Sequence, residues 1–248
     1  MIKKSMKLAL VVGVMVASMS MTSQTAQAGA PGEGAYIGAF VGWNSGVVQP
    51  KVTTTGPASS AASEGGTFEA KEGGLGLNGL EGGGWLGYGI RLGGGYFGIE
   101  VEGAGAGEEF ELTSNIAVET SLNTTLTSVT AQRNWQAGSA FRVGYYINTD
   151  TLFSLKGGVS VSEFDVTVGG DSDTYLAGGP QVGASIESKL NGIDPNLSLR
   201  MEFVYTDFLT ASVSGIGTRH QGIGTNEGHD SEITGSDSSG RLGLTYSF

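Results

Sequence analysis

The chain has 248 residues, 44 of them glycine, and carries 24 acidic against 13 basic side chains for a net charge of −11. That balance argues against a nucleic-acid partner, which needs a basic surface. The absence of cysteine excludes a disulfide framework and a lipid-modified cysteine.

Lys3, Lys4 and Lys7 precede an apolar run, LALVVGVMVASM (Leu8 to Met19), and Ala26-Gln27-Ala28 then supplies the small-x-small pattern of a signal-peptidase site. Residues 1–28 read as a cleaved signal peptide, with Gly29 as the new N-terminus of an exported chain, residues 29–248. After Ala28 no stretch approaches the roughly 18 continuous apolar residues that a spanning helix needs. If the processed chain resides in a membrane, it must cross as a closed barrel.

Period-two alternation recurs from here to the end, and helical periodicity is weak. It predicts eight strands, at about 34–44, 80–91, 96–107, 131–147, 151–162, 174–189, 197–207 and 238–248. Three connections are short and of turn composition: LGGG (92–95), NTD (148–150) and NGIDPN (191–196). The other four (45–79, 108–130, 163–173 and 208–237) are long and rich in Gly, Ser, Thr and acids, including Glu108, Glu109, Glu111, Asp171, Asp173 and Asp230. Short turns alternating with long loops are the layout of an all-β, up-and-down antiparallel transmembrane barrel. A hairpin inside 45–79 would raise the count to ten strands. A soluble barrel of the lipocalin kind is the weaker alternative.

The first strand, AYIGAFVGW (35–43), places Ile37, Val41 and Trp43 on one face and Tyr36, Gly38, Phe40 and Gly42 on the other. Nine strand charges take the parity opposite the apolar side chains: Arg91, Glu100, Glu102, Arg142, Lys156, Glu187, Arg200, Glu202 and Arg241. Glycines share that charged parity. Small residues interleaved with large charged ones suit the crowded interior of a narrow barrel, with the apolar face toward lipid. Four acids and five bases in one narrow lumen predict a network of paired charges plugged further by Tyr36 and Phe40.

AYIGAFVGW resembles the first strand of OmpA-type and opacity-type eight-stranded outer-membrane barrels. GYFGIEVEGAG (95–105), FRVGYYI (141–147) and LRMEFVYTDF (199–208) are similar to further strands of that family. The chain ends RLGLTYSF, whose alternating Leu242, Leu244, Tyr246 and Phe248 look like the terminal signal read by the barrel-assembly machinery. The resemblance implies a monomer in the outer membrane of a Gram-negative cell, with outer-membrane lipids and the assembly machinery as partners. No peptidoglycan-binding domain is expected beyond Phe248.

Three motifs are read as structural. GLGLNG (74–79) matches G-x-G-x-x-G but opens no helix, so no nucleotide site is expected. GGDSD (169–173) lacks the ligand spacing of a calcium loop. His220 and His229 stand in the last long connection without a nucleophile motif, so no catalytic residue, cofactor or metal is expected. Trp85, Tyr88, Trp135, Tyr145, Phe203 and Tyr205 read mostly as an interface girdle. The expected function is a membrane anchor displaying acidic loops. The alternatives are a small porin or passive channel, and an adhesin working through the 45–79 and 208–237 loops.

Overall fold

The computed structural model describes residues 29–53, 67–69, 75–112, 129–168, 171–213 and 231–248. The strands are β1 (Gly34–Thr53), β2 (Thr67–Glu69), β3 (Leu75–Leu92), β4 (Gly95–Leu112), β5 (Val129–Asn148), β6 (Thr151–Val168), β7 (Asp171–Lys189), β8 (Leu197–Val213) and β9 (Ser231–Ser247). Every pairing is antiparallel. The long strands pair in chain order, and β1 closes onto β9 from Tyr36↔Ser247 to Lys51↔Glu232. The chain is a closed eight-stranded up-and-down barrel.

The three-residue β2 pairs only with Lys51–Thr53 at the far end of β1 and stands outside the ring. Among the described residues, the 45–79 segment therefore adds no ninth or tenth staff to the barrel. The strands do run further than expected toward the long connections. β6 reaches Val168 and β7 starts at Asp171, so almost all of 163–173 is strand. GLGLNG likewise lies in β3 from Leu75 onward, with Gly76 opposite Val47. The apolar alternation that marks a strand fades there, while the ladder hydrogen bonds continue without it. The β7–β8 ladder stops earlier, at Gln181↔Thr206. Pro180, which has no N–H to give, is the next residue of β7.

Three short connections gather at one end. Gly93 supplies the positive φ (64°) of the β3–β4 turn. At the β5–β6 turn the Asp150 N–H donates to the Asn148 side chain at 2.8 Å.

The wall separates two kinds of surface. Ile37, Val41, Trp43, Phe97, Ile99, Val101, Phe141, Val143, Leu155, Val159, Met201, Phe203, Leu242 and Leu244 project outward and are exposed. The alternate residues point in and are buried, most of them polar or charged. The small apolar cluster inside is Tyr36, Phe40, Trp85 and Ala104. Tyr88, Tyr145, Phe203 and Tyr205 are on the outer face as expected of a girdle, but Trp85 is not. Its indole lies inside, 2% exposed, stacked on Phe40 at 5.1 Å and 7° between planes. Trp85 shares its parity with Gly87 and Glu81, and a Cβ built on Gly38 or Gly243 would fall on the indole. Those glycines vacate the space that the ring fills.

Candidate functional site: a charge network inside the barrel

The inward charges form three linked tiers. In the tier toward the short turns, Arg142 of β5 is fully buried and donates to Glu100 (3.4 Å), Glu187 (3.2 Å), Ser154 (3.0 Å) and Ser185 (3.3 Å). Arg200 of β8 holds Glu100 through both terminal nitrogens, at 2.6 and 3.0 Å. It also pairs with Glu202. The Trp85 ring lies 4.2 Å from the Arg200 guanidinium carbon, a cation–π contact that covers one face of the charge. The Tyr36 hydroxyl donates to Glu100 at 3.0 Å, and the Ser198 hydroxyl to Glu187 at 2.6 Å.

Lys156 of β6 is the middle tier. Its Nζ lies 2.9 Å from Glu202 and 3.5 Å from Glu100, and pairs with Glu102, which also accepts from Gln181 at 2.7 Å. Above it, Arg241 of β9 donates to Glu81 (2.6 Å) and to Glu102 (3.2 Å), with the Phe40 ring 4.7 Å away. Arg133 of β5 completes the stack, donating to Asp237 at 2.7 Å and to Gln136 at 3.0 Å, with Glu81 at 3.6 Å. Charges taken this far from water are tolerable only when paired and hydrogen-bonded, which is how these are arranged.

Eight of the nine charges expected inside are therefore brought together: Glu100, Glu102, Arg142, Lys156, Glu187, Arg200, Glu202 and Arg241. Arg91 is the correction. It has the inward parity, but it stands one residue from the end of β3, where the interior gives way to the mouth. It is exposed, donates from Nε to the Gly93 carbonyl at 3.0 Å and lies 4.7 Å over the Tyr146 ring.

Three network members were missed by sequence reasoning. Glu81 sits at the inward parity of β3, four residues before Trp85, and parity alone could have found it. Asp237 has the parity of Arg241 but lies one residue outside the strand expected from the alternation. Arg133 is odd-numbered while Arg142 is even. A register shift between Arg133 and Trp135 moves it to the same face, and no periodicity reveals a bulge in advance.

The carboxylates of Glu100, Glu102 and Glu202 come close enough to share an ion, with one oxygen of each within 4.8 Å of the others. Lys156, Arg200 and Arg241 already supply the positive charge at that point. As a set the tiers form a lock, with each acid facing a base from another strand.

The other expected residues have simpler positions. Leu242, Leu244, Tyr246 and Phe248 all face outward on the seam strand, where Leu242 is opposite Val41 and Leu244 opposite Ala39. The Phe248 N–H donates to the Ala35 carbonyl at 3.0 Å. Gly29 is the first described residue. Ala26, Ala28, His220, His229 and Gly169–Gly170 lie outside the described residues.

No family model and no curated protein matches the chain. Among solved structures it is similar to OprG, an outer-membrane protein from Pseudomonas aeruginosa, at 14% identity over 89% of this chain and 98% of that one, TM-score 0.47. The Neisserial surface protein NspA matches at 12% identity over 87% of this chain and 100% of that one, TM-score 0.40. The outer-membrane protease OmpT from Escherichia coli matches at 8% identity over 88% and 97%, TM-score 0.43.

Proposed function

We propose that the chain is an integral outer-membrane barrel that acts as a closed anchor, holding acidic segments at the cell surface, without catalytic activity. The observation that carries this reading is the inversion of the wall. Large apolar side chains cover the outside all round the ring, while fully buried arginines and glutamates fill the inside. A soluble monomer rarely exposes an apolar patch beyond a few hundred Å². Lipid removes that cost. On β6, Phe153, Leu155, Gly157, Val159 and Val161 face outward in succession over residues 153–161, consistent with the about 9–11 residues a tilted strand needs to cross the hydrocarbon.

In this reading residues 1–28 are removed on export, and the short turns face the periplasm. The terminal Leu242, Leu244, Tyr246 and Phe248 serve in assembly at the β9–β1 seam, so deletion of Phe248 lowers the folded membrane yield. The partners are membrane lipids and the assembly machinery, and the barrel works as a monomer.

The decisive experiment has two readouts. The protein should stay in the outer-membrane fraction and change its gel mobility on heating, and in planar bilayers it should give no steady porin-like current. Steady current would overturn the closed anchor in favour of a passive channel. Recovery in the soluble fraction would overturn the membrane reading itself.

A further inference from the structure

The residues just ahead of β1 are folded back at the mouth that carries the short turns. Ala30, Pro31 and Gly32 are buried although they belong to no strand. The Ala30 N–H donates to a Glu33 carboxylate oxygen at 2.9 Å, and the Glu33 N–H donates to the Ala30 carbonyl at 3.0 Å, closing a tight turn. Gly32 and Gly34 hold φ values of +73° and +78°, a left-handed path that other residues adopt only with strain.

Three strands besides β1 grip this turn. From β5, the Tyr146 hydroxyl donates to the Pro31 carbonyl at 3.1 Å. From β4, the Tyr96 ring lies so near Gly32 that a Cβ there would be 3.1 Å from it. From β3, Gly89 leaves room for the Gly32 carbonyl, which any side chain at 89 would strike. Tyr96 and Tyr146 meet edge to face at 6.3 Å, and Arg91 covers the Tyr146 ring. Leu152, paired with Tyr146 and only one residue inside the start of β6, is fully buried. An inward side chain so close to an open mouth would be wet.

We propose that Gly29–Glu33 is a lid over the turn-end mouth, a barrier separate from the charge network that keeps small solutes out of the interior from that side. This deepens the closed-anchor reading and rests on it. Arg91, which does not join the network, acquires a role here as the support of Tyr146.

The chain has no cysteine, so Leu152→Cys introduces a single thiol behind the lid. The folded barrel carrying it would be treated in detergent micelles with a small, charged methanethiosulfonate reagent, alone and combined with Tyr146→Phe or Gly32→Val. Tyr146→Phe keeps the ring and removes only the bond to Pro31, and its fold is checked by the heat-dependent gel shift. A slow reaction in the otherwise native barrel, rising about tenfold with Tyr146→Phe, is the expected result, the order of change one lost hydrogen bond allows. Gly32→Val, which unseats the turn, should give at least that increase. A thiol that already reacts as fast as free cysteine, or at one rate in all three proteins, overturns the lid. If the lid fails while bilayer current stays absent, the charge network alone closes the barrel. Steady current through the native barrel would instead remove the reading on which the lid rests.

Discussion

Phe141, Arg142 and Val143 are consecutive residues of β5, yet the first and third are 61% and 49% exposed while the arginine between them is 0% exposed. The two faces of this wall are built on opposite rules. On the outer face, stability requires only that side chains be apolar, because lipid makes no directional demand. On the inner face each charge depends on a particular partner from another strand, as Arg142 depends on Glu100 and Glu187. The outer face should therefore tolerate exchange among apolar residues, whereas the inner face should fail whenever a single partner is lost.

The largest expected effect breaks the inner rule. Arg142→Ala leaves buried Glu187 without its ion pair and removes one of the cations at Glu100, and should cost about 3–5 kcal/mol of unfolding free energy measured in lipid vesicles. If the loss were no larger than for a surface substitution, the tiers would be incidental. Breaking the outer rule comes next. Val143→Arg puts a cation against lipid partway along the apolar belt and should cost about 2–4 kcal/mol in the same assay if it lies near the midplane. A variant as stable as the parent would refute the orientation of β5.

Glycine sharpens the same contrast at lower energy. Gly38→Ala forces a methyl into the Trp85 indole and within 2.7 Å of the Leu244 carbonyl, and should cost about 1–3 kcal/mol with a shift in tryptophan fluorescence. On the outer face, a Cβ at Gly240 meets nothing within 4 Å, so Gly240→Ala should stay within about 0.5 kcal/mol of the parent. Equal effects at these two positions would mean that the crowding around Trp85 relaxes freely.

Much of the barrel is legible in the sequence. The alternation in 35–43, 141–147 and 199–205 revealed which residues share a face, because a strand has a period of two whatever surrounds it. Turn compositions at 92–95 and 148–150 told which ends are short. Trp85 was misread for a reason in the same physics. An aromatic ring suits a lipid interface and an aromatic-lined lumen equally, and its parity with Glu81 outweighs its residue type.

The sequence by itself determined the architecture and the inversion of the wall, since both follow from local periodicity and turn chemistry. Only the tertiary structure decided which charges meet. Arg200 and Glu100 are a hundred residues apart in the chain and 2.6 Å apart in the barrel, and that meeting depends on ring closure and strand stagger, while the bulge beside Arg133 turns that arginine inward toward Asp237. The same holds for the turn at Gly29–Glu33. Nothing in those five residues predicts burial, because the tyrosines that hold them come from strands brought alongside only when the barrel closes.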